Sequence, residues 1–170
     1  MNYLSCWILY SDPTEFRLIN WLQDFNWVAD DNLVDGRYID TYIGNVQPGD
    51  SVFVWTGDNK EHTSGIYGEG KVVPTPQEFP LTNREREYFT SSTELNNVTG
   101  LYKLAVKYGR LCLGVPLLKD EMETLDVLRT VTFGSSRHSR IQPIPEKVCT
   151  VIVRMLRGRT NMIDIQYCRT

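Results

Sequence analysis

The sequence has few of the residues on which metal sites and histidine-based catalysis depend. Its two histidines, His62 and His138, lie in polar stretches and have no carboxylate or thiol at a ligand spacing. Its four cysteines form no CxxC pair, and such pairs are typical of zinc sites and redox motifs. We therefore predict no catalytic residue, no metal site and no cofactor. Cys6, Cys112 and Cys149 stand in apolar runs and are interpreted as small buried apolar side chains.

Long hydrophobic runs are also missing. No stretch approaches the roughly 20 apolar residues that a membrane helix needs. The apolar run at residues 3–10 is short and has no basic leader, unlike a signal peptide. The cysteine spacing indicates no disulfide framework. These absences predict a cytoplasmic chain without a membrane partner.

Charge is modest overall but unevenly distributed. The net charge is −3, yet residues 1–102 hold 6 basic and 15 acidic side chains, and residues 103–170 hold 12 and 6. The overall balance argues against a nonspecific nucleic-acid binder. The asymmetry indicates one basic face that could meet phosphates, and the alternative is an ordinary solvated surface.

Residues 48–73 predict a bent hairpin. Pro48-Gly49-Asp50 is a turn signal, and the valines and aromatic residues at 51–55 are typical of a strand. A polar loop at 56–64 separates this strand from a second one with three glycines, at 65, 68 and 70. Glycines inside a strand mark bulges or a close approach of another backbone. Such bending is what a small barrel requires.

Helices are predicted near both ends of the chain. After a first strand at 4–10, Asp12 is the expected N-cap of a helix that begins at Pro13, with Glu15 reaching back. The last helix is predicted to begin at Pro145 and to end at Gly158, with apolar residues at helical spacing between them.

The segments between these elements give weaker signals. We predict a long irregular connection at 29–46, one or two helical turns at 82–88, a loop at 91–97, two strands bent about Gly109 within 99–115, a strand-like piece at 125–133 and a basic loop at 134–140.

The sequence resembles the EVE domain, a member of the PUA-like superfamily that also contains the YTH and ASCH domains. The resemblance is carried by Trp7-Ile8-Leu9, Trp27, the run Gly49 to Trp55, and the run Gly65 to Val72. The later run Ser139 to Pro145 is similar to the closing element of that family. The resemblance implies an α+β fold, a PUA-like open β-barrel of about five or six strands flanked by helices. We place this domain at residues 1–158, with 159–170 as a C-terminal tail or short strand.

The resemblance also suggests where a ligand binds. In YTH-like relatives a tryptophan that follows the first helix walls an aromatic cage, and Trp27 occupies the matching place. We predict Trp55 as the second wall of a base-binding pocket and Tyr88 as a third. Rings of this kind stack on an unpaired base. Trp7, Trp21 and Tyr67 are the other aromatic side chains considered, and they are assigned to the core.

Polar side chains near these rings complete the predicted site. Asn26, Ser51 and Thr56 are expected to hydrogen-bond the edge of the base, whereas Asp50 either does so or closes the turn before the hairpin. Three residues of the basic loop are expected to hold flanking phosphates, and these are Arg137, His138 and Arg140.

These predictions favour a non-catalytic module that reads a modified nucleobase, such as a methylated or hydroxymethylated base, in DNA or RNA. Two alternatives remain open. The first is an ASCH-like enzyme that acts on a nucleoside or small amide, and the second is a protein-interaction domain with a vestigial pocket. We expect binding rather than catalysis, and the sequence leaves the oligomeric state open.

Overall fold

The computed structural model describes residues 4–129 and 140–159. The strands within them are β1 (Cys6–Ser11), β2 (Asp35–Ile39), β3 (Ser51–Thr56), β4 (Gly65–Val72), β5 (Tyr102–Leu111), β6 (Leu117–Leu118) and β7 (Ile141–Ile144). The helices are α1 (Leu18–Gln23), α2 (Asn83–Arg86), α3 (Ser92–Val98), α4 (Lys119–Glu123), α5 (Asp126–Arg129) and α6 (Glu146–Arg157). Among these described helices, none has both the length and the apolar composition needed to cross a membrane.

The strands form one mixed sheet in the order β2-β5-β4-β3-β1-β7, with β6 paired to β4. Only β1 and β3 run parallel among the described pairs, and every other pair is antiparallel. The sheet curls into a half-barrel with helices around it, which confirms the predicted α+β, PUA-like architecture.

Alternation along the central strands divides the interior into two cores. In β1, Trp7 and Leu9 point into a first core with α1, while Ile8 points into a second core. The second core is closed by α6, whose buried positions recur at helical spacing as the sequence predicts. Side chains of a strand alternate between the two faces of a sheet. Consecutive residues within β1, and likewise within β3, therefore belong to different cores.

The glycine-rich hairpin is confirmed. β3 and β4 pair antiparallel with an irregularity between Val54 and Trp55, and β4 pairs with β5 across a second one between Glu69 and Gly70. The turn before the hairpin is closed by Asp50, which accepts hydrogen bonds from the Trp7 indole and from two backbone N–H groups. Asp50 therefore closes the turn, the second of its two predicted roles.

Gly65 is required by the close approach of β6, and we expect alanine there to destabilise the fold. A Cβ on Gly65 would lie 2.5 Å from the backbone oxygen of Leu117, and overpacking of this kind costs about 1–3 kcal/mol. Gly109→Ala is the matched control, because a Cβ there meets nothing within 4 Å. Urea denaturation of both variants checks the prediction. Equal unfolding free energies for the two would contradict it.

The first helix begins later than predicted. Asp12 accepts hydrogen bonds from the backbone and hydroxyl of Thr14 and closes a turn rather than capping a helix. The helix starts at Leu18 and has no side-chain cap. Phe16, expected on that helix, instead pairs with Phe89 in an isolated bridge. This tertiary pairing overrides the local capping signal, because it needs an extended backbone at Phe16.

Other local predictions were also wrong. The predicted loop at 91–97 is mostly helical: α3 spans Ser92–Val98, and Ser91 caps it by accepting from the N–H of Glu94. A single ten-residue strand replaces the two strands expected around Gly109, and a short helix stands where part of the strand-like piece 125–133 was expected. The strand β2 was missed, because its short sequence mixes charged residues with a glycine.

Two cysteines interpreted as separate buried side chains are joined. Cys6 at the start of β1 and Cys149 in α6 form a disulfide across 143 residues of sequence. Cys112 is free and buried, as predicted. The error arose because a pairing between such distant residues leaves no signal in their spacing.

Candidate functional site

A cleft opens on the first-core side of the sheet, where the parallel strands β1 and β3 end. Its walls come from the end of β1, the segment leading into α1, and strand β2. The lining residues are Leu9, Tyr10, Ser11, Glu15, Phe16, Leu18, Arg37, Tyr38, Val54, Phe89 and Arg140. We call it the β1–β2 cleft. It unites residues from six separate stretches of sequence.

A buried ionic network forms one wall of the β1–β2 cleft. Asp35 is 1% exposed and accepts hydrogen bonds from the Trp21 indole at 3.0 Å and from the Tyr108 hydroxyl. Its carboxylate also lies 3.1 Å from Nε of Arg37, which lines the cleft. The Arg37 guanidinium packs 4.7 Å from the centroid of the Phe16 ring. Arg37 is thus a buried cation fixed in one orientation.

The charge states of this network follow from burial and pairing. Burial alone would lower the pKa of Arg37, but Asp35, Tyr108, Glu85 and Tyr38 together more than offset it, so that the pKa lies above its ordinary value. Burial raises the pKa of Tyr108 well above its usual range, and the neighbouring Asp35 raises it further. Tyr108 therefore stays a neutral donor, and Arg37 stays charged.

A second ion pair lies in the lining of the β1–β2 cleft. Arg140 donates from both terminal nitrogens to the two carboxylate oxygens of Glu15, at 2.5 and 2.9 Å. The free volume of the cleft is about 20 Å³, which suits a water molecule and is far too small for a nucleobase. Any larger ligand requires the lining of the cleft to move.

Aromatic rings supply the apolar part of the cleft. Phe16 and Phe89 pack edge to face with centroids 4.8 Å apart, and Tyr38 lies 6.5 Å from Phe89. Burial, followed by the Glu85 carboxylate, raises the pKa of Tyr38, so that its hydroxyl stays protonated. The rings are tilted against one another, and they wall the cleft without forming a parallel slot.

The structure does not bring Trp27 and Trp55 together. Trp27 lies in the first core against Trp21 and Tyr108, and Trp55 lies in the second core on the opposite face of the sheet. They are 4% and 1% exposed. The expected slot between the two indoles is therefore absent, because the alternation of β3 directs Trp55 away from the face that α1 covers. Trp7, Trp21 and Tyr67 are buried as expected.

The remaining base-binding candidates are dispersed. Asn26 is exposed, and Ser51 accepts a hydrogen bond from Lys71 at 2.7 Å on the far end of β3. Thr56 is buried at the opposite end of that strand, opposite Ser11 of β1. Tyr88 packs against Phe16 beside the cleft. Partial burial and a hydrogen bond to Asp24 raise the pKa of Tyr88 to about 12. A role for any of these residues in base binding stays a prediction.

Of the predicted phosphate-binding residues, Arg137 and His138 lie outside the described residues. Arg140 lines the cleft, where its charge is paired with Glu15. The sequence analysis missed Glu15 as a site residue, as well as Arg37 and Tyr38. One signal for these residues was present in the sequence. Asp35 and Arg37 are two positions apart, and residues at that spacing lie on the same face of a strand, so the segment fits a strand with a charged inner face.

Comparisons with known proteins agree with this architecture. A family model described as the EVE domain matches residues 5–155. No protein with curated annotation matches the chain. Several solved structures share the fold at low sequence identity. They include a hypothetical protein from Leishmania major (18% identity, TM-score 0.56, covering 92% of this chain and 96% of that one).

Two further structures are similar to the same extent. Human THYN1 in complex with 5-methylcytosine-containing DNA has 16% identity and a TM-score of 0.54, and the match covers 89% of this chain and 96% of THYN1. A protein from Pseudomonas putida has 15% identity and a TM-score of 0.55, with 88% and 98% covered.

Proposed function

The chain belongs to the EVE domain family, and from that premise we propose that it is a non-catalytic module that binds a methylated cytosine flipped out of DNA. We place the base in the β1–β2 cleft. The observation that carries the proposal is Arg37, a buried guanidinium held by Asp35 and facing the cleft. The structure of human THYN1 with 5-methylcytosine-containing DNA supports the choice of ligand.

The polar groups of the cleft complement the edge of cytosine. Flipped bases are recognised by hydrogen bonds to their Watson–Crick edge. Cytosine presents an amino group as a donor at N4, where thymine presents the acceptor O4. Glu15 is an acceptor when ionised, and Arg37 is a donor only. A cytosine whose amino group meets Glu15 and whose oxygen meets Arg37 satisfies both side chains.

The rings and aliphatic side chains of the cleft account for affinity and for the methyl group. Stacking of a base on an aromatic side chain contributes about 1–3 kcal/mol. Tyr38 and Phe89 offer such surfaces, and Leu9, Phe16 and Val54 add apolar contact. Burying one methyl group contributes roughly 0.8 kcal/mol. Methylated and plain cytosine should therefore differ by a few-fold in affinity through this contact alone.

Entry of the base requires the cleft to open. In our proposal the base separates Arg140 from Glu15, the amino group of the base takes the place of the guanidinium, and Arg140 turns to a flanking phosphate. This keeps Arg140 in the phosphate-binding role predicted from the sequence. Each side chain keeps a partner after the exchange, since Glu15 accepts from the amino group and Arg140 pairs with a phosphate.

Glu15→Gln is expected to weaken the preference for methylcytosine over thymine. The amide offers a donor as well as an acceptor, so it tolerates O4 of thymine. The hydrogen bond from the base to a charged carboxylate is lost, and such a bond is worth about 1.5–3 kcal/mol, or roughly 10- to 150-fold. Affinities are measured by fluorescence anisotropy with oligonucleotides that differ at one base. The panel contains cytosine, methylcytosine, hydroxymethylcytosine and thymine, in DNA and in RNA.

Glu78→Gln is the matched control, because Glu78 is exposed and lies outside the cleft. Its selectivity should equal that of the unchanged protein. If the affinities of the unchanged protein for all oligonucleotides of the panel agree within two-fold, the proposed function is contradicted. Conversion of an oligonucleotide during incubation, followed by mass spectrometry, would favour an ASCH-like enzyme instead.

A further inference from the structure

A second depression lies beside the β1–β2 cleft, on the other side of the segment that leads into α1. It shares Phe16 and Leu18 with the cleft, and its free volume is about 280 Å³. Its remaining lining residues are Pro13, Arg17, Ile19, Asn20, Thr56, Asn59, Lys60, Glu61, His62 and Thr90. We call it the basic groove, because three of these side chains are basic.

The charges of the basic groove contrast with those of the surrounding chain. Residues 1–102 hold only 6 basic side chains against 15 acidic ones, yet Arg17 and Lys60 both line this groove and both are exposed. His62 adds ring nitrogens. The opposing carboxylate in the lining is that of Glu61, which is 73% exposed and 3.7 Å from Nε2 of His62. Two permanent cations therefore face one carboxylate that points largely to solvent.

The loop that carries Lys60 and His62 is held in one shape. The side-chain oxygen of Asn59 accepts the backbone N–H groups of Glu61 and His62, at 2.8 and 2.7 Å. On the other side of the loop, Asp58 accepts the N–H of Ser64 at 2.6 Å. The groove is thus prepared before a ligand arrives, which lowers the ordering cost of binding.

The Arg17 side chain is positioned by the two residues that follow α2. Its guanidinium donates to the backbone oxygen of Glu87 at 2.5 Å and packs 5.5 Å from the centroid of the Tyr88 ring. A guanidinium has five N–H donors, so that this side chain keeps donors for an anion in the groove. Arg17 and Lys60 line the groove from different segments of the chain.

We propose that the basic groove binds the phosphodiester backbone next to the flipped base. This inference rests on the proposed function, since it assumes that a base occupies the adjoining cleft. Phosphate contacts position a nucleic acid without reading its sequence. The shared wall formed by Phe16 and Leu18 places the groove directly beside the site of the base. Base and backbone are then recognised by separate sets of residues.

Lys60→Gln and Arg17→Gln test this inference through the salt dependence of binding. Each phosphate contact contributes about 0.9 to the slope of log affinity against log salt for duplex DNA, and about 0.7 for single strands. Each variant should lower that slope by such an amount, so that the loss of affinity between about 50 and 200 mM salt shrinks roughly 3-fold. The probes are the methylcytosine and cytosine oligonucleotides, and the ratio of their affinities should not change.

Lys147→Gln is the matched control, because Lys147 is exposed on α6, which covers the opposite face of the sheet. It should keep the slope of the unchanged protein. Lys60 lies on an exposed loop, so Lys60→Gln should fold normally even if Arg17→Gln does not, and thermal unfolding verifies this.

The outcomes separate this inference from the proposed function. Unchanged salt slopes in both groove variants would overturn the inference and leave the methylcytosine preference intact. A change in that preference would also overturn it, because the groove would then take part in reading the base. If the unchanged protein binds no oligonucleotide at low salt, both proposals fail.

Discussion

Replacing Asp35 by alanine is expected to lower the free energy of unfolding by about 3–5 kcal/mol, because it leaves the buried Arg37 cation without its counter-charge. The substitution also removes the acceptor of the Trp21 indole and of the Tyr108 hydroxyl. These donors are buried, and because an unsatisfied buried donor costs about 1–3 kcal/mol, the loss should lie at the upper end of the expected range. Urea denaturation monitored by tryptophan fluorescence measures the change.

Two further variants show whether charge burial is the cause. Asp31→Ala removes a carboxylate only a few residues away, but its ion pair with Lys107 is exposed, and such pairs contribute about 0–1 kcal/mol. The double variant Asp35→Ala with Arg37→Met removes both charges, and replacing a whole buried pair by apolar groups is often neutral. We expect it to regain the part of the stability that is lost to the unpaired cation, while Trp21 and Tyr108 stay without their acceptor. A loss below about 1 kcal/mol in Asp35→Ala would contradict this account of the network.

The same network links stability to ligand binding. Asp35 fixes the Arg37 guanidinium in the wall of the cleft, and fixed donors bind more tightly than donors that must be ordered on binding. An Asp35 variant that still folds at low temperature should therefore lose affinity for methylcytosine DNA. The loss should not depend on salt, in contrast to the losses expected for the basic groove.

Reduction of the disulfide between Cys6 and Cys149 is expected to cost about 2–5 kcal/mol of unfolding free energy. The bond joins residues 143 positions apart, and the entropy that a cross-link removes from the unfolded chain grows with the length of the loop it closes. It also ties α6 to β1, over the second core. Unfolding in urea with and without a reductant measures the difference.

The double variant Cys6→Ala with Cys149→Ala provides the control, since its stability should be low and insensitive to the reductant. Peptide mapping without reduction should recover the segments around Cys6 and Cys149 as one linked species. Recovery of both as free thiols from protein prepared without reductant would contradict the pairing. Because structural disulfides are rare in a reducing cytosol, a chain kept there should show the lower stability of the dithiol form.

Much of the fold could be predicted from local patterns. The hairpin of β3 and β4 follows from a turn signal and three glycines, and α6 follows from apolar residues at helical spacing. Elements with weak or conflicting local signals were misjudged. The capping signal at Asp12 was read as a helix start, although the tertiary bridge between Phe16 and Phe89 requires extended backbone there.

The candidate site was less predictable than the fold. Aromatic residues attract attention in a sequence, but a large apolar ring is more often part of a core than of a pocket. Trp27 and Trp55 are of this kind. The residues that line the β1–β2 cleft include one glutamate and two arginines, which are ordinary in composition and distant in sequence. Only their convergence distinguishes them from surface charges.

The sequence by itself determined the family, the central hairpin and the closing helix, because turns, glycine kinks and helical periodicity are encoded within a few neighbouring residues. The tertiary structure decided the parallel pairing of β1 with β3, the disulfide and the composition of the cleft. Each of these joins residues tens of positions apart, and such contacts depend on how the sheet curls and on which of its two faces each side chain occupies.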